Sequence, residues 1–85
     1  MSSADKNLSS YSGEIPDMSS KTIGIVVAEW NEEITEALYE GAIELLLKHG
    51  VSKGNIIRNN VPGTFELTLG AQWLAMKKNV DAVIC

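Results

Sequence analysis

The spacing of apolar residues divides this chain into segments of different character. Residues 1 to 20 are rich in Ser, Asp and Asn with isolated apolar positions, and no period of 2 or 3.6 is sustained there. Thr22 to Ala28 is then a nearly continuous β-branched run, the signature of a strand covered on both faces. Gly24 inside it costs strand stability but lets a helix approach closely. From Glu32 the period becomes helical, with Ile34, Ala37, Leu38, Ala42, Leu45 and Leu46 on one stripe and Glu33, Glu36, Glu40, Glu44 and Lys48 on the other side. Asn31 stands where an N-cap is needed, acidic residues crowd the first turn, and Gly50 is the expected left-handed terminator.

Val51 to Asn55 reads as a polar connection, and Ile56 to Val61 as a second, weaker strand carrying the unusually polar pair Asn59-Asn60. Pro62-Gly63 ends that strand. Thr64 is expected to cap a second helix, whose stripe is Leu67, Gly70, Ala71, Leu74 and Lys78, and Asp81 to Cys85 begins a third strand. Alternation of short strands and helices implies a parallel α/β sheet with right-handed crossovers and helices on both faces. Residues 1–21 are expected to form a flexible arm, and residues 22–85 the N-terminal part of a single α/β domain. Because the last strand is apolar and of the buried type, the sequence is expected to be truncated after the start of the third strand, or completed by another chain.

Composition narrows the function. A hydrophobic fraction of 45% with 21% charged residues is that of a globular chain. A net charge of -4 argues against nucleic acid as a partner. The longest apolar stretch, Ile23 to Ala28, is far short of the roughly 20 residues that cross a bilayer as a helix, so no membrane partner is expected. Cys85 is the single cysteine, which excludes an internal disulfide, fits a cytoplasmic location, and reads as an inert strand thiol.

Ligands of open parallel sheets bind outside the carboxyl ends of the strands. Two loops reach that edge here, Glu29-Trp30-Asn31 after the first strand and Pro62-Gly63-Thr64-Phe65-Glu66 after the second. An aromatic plane, a carboxylate and backbone amides at a helix start suit a flat heterocycle bearing hydroxyl groups. Trp30 is equally suited to an interface, and Glu66 to the helix dipole, so the motif as a whole carries the ligand reading. Trp73 and Met76, deep in the second helix, read as packing or subunit-contact residues. His49 lies at the far end of the first helix and is not expected to be catalytic. There is no GxGxxG, Walker-type loop, metal-spaced Cys/His set or Ser-His-Asp arrangement.

The run Ile23 to Ala28, Trp30-Asn31, Ile34-Thr35-Glu36-Ala37-Leu38 with Gly41-Ala42, Val61-Pro62-Gly63-Thr64-Phe65-Glu66-Leu67 and Asp81-Ala82-Val83-Ile84 resembles the N-terminal half of lumazine synthases. The resemblance implies a flavodoxin-like α/β fold and condensation of 5-amino-6-ribitylaminouracil with 3,4-dihydroxy-2-butanone 4-phosphate, a transferase step of riboflavin biosynthesis that needs no cofactor and no metal. It gives Trp30 the role of stacking on the pyrimidine, and Thr64, Phe65 and Glu66 that of holding the ribityl chain and ring, with Asn31 beside them as a further substrate-binding residue. The family's proton-transferring histidine and phosphate ligands fall beyond Cys85. No catalytic residue is therefore expected within this segment, which alone is expected to be inactive. The small-molecule substrates apart, the implied partner is the chain itself, assembled into pentamers or an icosahedral capsid. Trp30 stands where Phe is frequent and Thr64 where Ala or Ser is frequent. Two alternatives from other classes are a non-catalytic flavodoxin-like binding module and a capsid or scaffold subunit.

Overall fold

A computed structural model describes residues 14–85. Its regular elements are strand β1 (Ile23–Ala28), helix α1 (Glu32–Lys48), strand β2 (Ile56–Val61), helix α2 (Leu67–Ala75) and strand β3 (Ala82–Ile84). The strands form one parallel sheet in the order β2-β1-β3, with Ile23 opposite both Ile56 and Ala82. This is a flavodoxin-like α/β arrangement: β1, the apolar run, lies in the centre with every residue buried. Its polar neighbour β2 lies at an edge of the described sheet, where Asn59 and Asn60 are exposed.

Alternation along β1 sends successive side chains to opposite faces. Ile23, Ile25 and Val27 join Val51 in a core cluster against which Met18, Tyr39, Ala42, Ile43, Leu46 and Ile56 pack, so α1 covers this face. Gly24 and Val26 face the other way, against α2. A Cβ on Gly24 would lie 2.9 Å from Leu74 Cδ1, and one on Gly70 would lie 2.9 Å from Val26 Cγ1 and 3.0 Å from Val61 Cγ1. The two glycines therefore set how closely α2 approaches the sheet, and Leu74 is 0% exposed beneath it. The close approach expected at Gly24 is present.

Helix α1 departs from its expected stripe. Ala42 and Leu46 do pack inward, but their companions are Tyr39 and Ile43, while Ile34, Leu38 and Leu45 face outward. Two adjacent apolar stripes run along this helix, and β1, β2 and Val51 cover one of them. On α2 the expected stripe holds at Leu67, Gly70, Ala71 and Leu74, whereas Lys78 is exposed and lies past the helix end at Ala75.

The helix ends also refine the expectations. Gly50 has φ 100°, and its N–H donates to Leu47 O (3.2 Å) while that of Val51 donates to Leu46 O (3.1 Å), the paired bonds of a Schellman motif. Val51 is not part of a polar connection. It is buried and packs in the same cluster as Leu46, and a single 3₁₀ turn at Lys53–Asn55 leads on to β2. Thr64 does not cap α2. It opens a 3₁₀ turn, Thr64–Glu66, and Glu66 Oε1 accepts the Gly63 N–H (2.9 Å) while Gly63 O accepts the Glu66 N–H (3.2 Å).

One tie between elements has no local signature. Arg58 on β2 makes a two-pronged ion pair with Glu36 on α1, its Nη1 donating to Oε1 at 3.0 Å and its Nη2 to Oε2. Its Nε donates to Asn60 Oδ1 (2.8 Å), and its guanidinium lies 4.3 Å from the centre of the Tyr39 ring. Hydrogen bonding from Arg58 holds the Glu36 carboxyl below its ordinary range. Of the expected arm, residues 1–13 lie outside the described residues. Residues 14–21 run along the end of α1, where the Met18 N–H donates to His49 O (3.1 Å) and the Asp17 carboxylate accepts from Ser19. No helix among the described residues is long and apolar enough to cross a membrane.

Candidate functional site

Parallel pairing brings the ends of β1 and β2 to the same edge, since Ala28 lies opposite Val61. The pairing continues into the loops: Glu29 N–H donates to Val61 O (2.8 Å) and Trp30 N–H to Pro62 O (3.1 Å). Backbone hydrogen bonds thus hold the two expected loops side by side. A Cβ on Gly63 would lie 3.6 Å from Glu66 Oε1 and 4.0 Å from the Trp30 Cβ, so the aromatic and the carboxylate flank one glycine.

Beside them opens an apolar cleft of about 320 Å³, lined by Trp30, Asn31 and Thr64 together with β1 from Ile25 to Ala28, Ile34, Thr35, Leu38, Tyr39 and Ala42 of α1, Leu67, Ile84 and Cys85. Three of the five expected substrate-binding residues meet there. Phe65 and Glu66 do not line the cleft: the Phe65 side chain is 94% exposed, and Glu66 is half-buried against the Gly63 amide. One Glu66 oxygen is engaged, and the other has no partner among the described residues. Trp30 is 72% exposed. Asn31 occupies the N-cap position with φ 59° and ψ 50°; its backbone O accepts from Ile34 and Thr35 (2.9 and 3.0 Å), and its side chain makes no capping bond.

The cleft also takes in residues not singled out from sequence. Ile34 and Leu38 follow Trp30 at spacing four and carry its apolar surface down α1. That spacing is visible in the sequence, but it reads there as part of a core stripe. Exposed Cys85 joins the cleft from the end of β3. His49 closes the opposite end of α1, about 25 Å away at 1.5 Å per residue, and donates its backbone N–H to Leu45 and Leu46. Trp73 and Met76 are exposed on the outer side of α2.

This arrangement offers a stacking surface, one free carboxylate oxygen, a threonine hydroxyl and an apolar wall. Among the described residues it brings together no paired acid and base and no nucleophile with an adjoining base. Groups of these kinds can stack on a flat ring and hydrogen-bond to hydroxyl groups. The sequence itself matches the family described as 6,7-dimethyl-8-ribityllumazine synthase across residues 20–85. The chain belongs to this lumazine synthase family. A protein named 6,7-dimethyl-8-ribityllumazine synthase from Cytophaga hutchinsonii is 84% identical over 85 residues, covering 100% of this chain and 54% of the relative. Proteins of the same name from Parabacteroides distasonis and Porphyromonas gingivalis are 56% and 55% identical, each over 99% of this chain and 53% of their own length. The chain thus spans about half the length of these curated lumazine synthases.

Proposed function

We propose that this chain supplies the pyrimidine- and ribityl-binding part of a lumazine synthase, a transferase that condenses 5-amino-6-ribitylaminouracil with 3,4-dihydroxy-2-butanone 4-phosphate. In this reading Trp30 stacks on the pyrimidine, and the free oxygen of Glu66, the Thr64 hydroxyl and the backbone amides near Phe65 bind the ribityl hydroxyls. Proton transfer and phosphate binding come from residues outside this chain. The single observation that carries the reading is the backbone pairing of Glu29 and Trp30 with Val61 and Pro62, which fixes a stacking residue and a carboxylate around Gly63. Such preorganisation lowers the cost of ordering a polyol.

Self-association into a pentamer or capsid is part of the same reading. Its support is a ridge of exposed apolar side chains, Phe65, Leu69, Trp73 and Met76, at spacings of four and three down the outer side of the second loop and α2. A cytoplasmic location accompanies it, in keeping with a single free thiol.

The test is lumazine formation, followed by absorbance, in the full-length protein that carries this chain. Glu66→Ala removes hydrogen bonds to a charged group, so KM for the ribitylaminouracil substrate rises about 10- to 100-fold. Trp30→Ala, which removes the stacking surface, raises it about tenfold. Unchanged KM in both variants overturns the assignment of the site.

A further inference from the structure

We propose that Asn31 is a positioning residue whose left-handed backbone, and not its amide side chain, aims Trp30 at the cleft. The proposal rests on the reading of Trp30 as the stacking residue. Trp30 is still paired like a strand residue, through its N–H to Pro62 O, and Glu32 is already the first residue of α1. Asn31 alone makes the turn between them. N-cap residues ordinarily have extended backbone, but Asn31 has φ 59° and ψ 50°, and it is the sole non-glycine residue with positive φ among the described residues.

That conformation serves two neighbours at once. It turns the Asn31 carbonyl into α1, where it accepts the N–H groups of Ile34 and Thr35, and it leaves Trp30 at the cleft with Asn31, Ile34 and Thr35 as adjoining lining residues. The side chain has no capping bond to account for its identity. The backbone does: left-handed geometry crowds Cβ against the following carbonyl oxygen, and asparagine and glycine tolerate it where alanine and, more so, β-branched residues do not.

Positioning and direct binding separate in a series at this one position. Asn31→Gly keeps the backbone and removes the amide, Asn31→Ala removes the amide and disfavours the backbone, and Asn31→Val disfavours it most. Each is made in the full-length protein with Trp73→Phe and any tryptophan outside this chain also replaced by Phe, so that Trp30 reports alone. Emission maximum and acrylamide quenching of Trp30 are measured without substrate, and KM for the ribitylaminouracil substrate with it. The expected order of disturbance is Gly, then Ala, then Val in both readouts, with Val raising KM about tenfold or more and kcat moving less. Equal losses of affinity in Gly and Ala, with Trp30 emission unmoved, would assign the role to the amide and overturn the proposal. So would native behaviour in Val. If Val does not fold, the Gly-against-Ala comparison alone decides. Trp30→Ala in the same background is the control for the underlying site: an unmoved KM there, with emission still ordered Gly, Ala, Val in the series, would fault the synthase site and leave the backbone role of Asn31 standing.

Discussion

The two faces of strand β1 are covered in different ways. Toward α1, branched side chains meet a helix of 17 residues, none of which is fully buried. Toward α2, a helix of 9 residues buries both Gly70 and Leu74. Length does not explain this, since the shorter helix, the more apolar of the two, buries the more residues. The distance of approach does: Gly24 and Gly70 remove the Cβ atoms that would hold α2 away from the sheet, whereas α1 rides on Ile23, Ile25 and Val27. The thin interface is therefore the closely packed one, and it adjoins the loop that carries Thr64, Phe65 and Glu66. The thick interface leaves an apolar stripe of α1 outside, and part of that stripe becomes the wall of the cleft.

The largest effect should come from the thin face. Leu74→Ala removes a fully buried side chain beneath the glycine contact and should destabilise by about 2–5 kcal/mol in chemical denaturation. Gly70→Ala follows, at about 1–3 kcal/mol, because the atoms it meets belong to Val26 and Val61, whose side chains are stiff at χ1. Gly24→Ala meets the movable end of Leu74 instead, so its cost should shrink when combined with Leu74→Ala. A double-mutant cycle that finds strict additivity would contradict the close contact.

Effects on the α1 side should be smaller. Gly50→Ala places an L side chain at φ 100° in the Schellman motif and should cost about 1–2 kcal/mol. The Glu36–Arg58 pair comes last, being largely solvated and screened by salt. The folded-state pKa of Glu36 is lowered, so the contribution of the pair is present above the ordinary carboxylate range and is lost as pH falls through the lowered value. The stability difference between native protein and Glu36→Gln should therefore narrow on acidification and with added salt. A difference that widens in acid would contradict the assigned sign.

Much of this was legible in the sequence because local signals agreed with the fold. The β-branched run, the change to helical period at Glu32, Gly50 and the Pro62-Gly63 turn each mark an element that is present. The adjacency of the two candidate loops was legible too, since parallel strands bring their carboxyl ends together. What escaped depends on contacts between distant residues. The sequence offers two apolar stripes on α1 and no means of telling which one the sheet covers. Glu36 reads as one of several glutamates on the polar side of α1 until Arg58, 22 residues on, is placed beside it. Thr64 looks like a cap because it precedes a helix, but Glu66 supplies the reciprocal bond to Gly63. Asn31 looks like an ordinary cap as well, and its left-handed backbone adjoins a strand pairing that runs on through Trp30, a contact between distant residues.

The most direct test of the central claim is single-turnover lumazine formation, read by absorbance, with three samples: this chain alone, the part of the 84% identical Cytophaga relative that this chain does not span, and the two refolded together. The proposed half-site, which would bind the ribitylaminouracil substrate and leave proton transfer and phosphate binding to residues outside this chain, should give product only in the third sample. Product from this chain alone, or none from a folded and associated mixture, would contradict that claim.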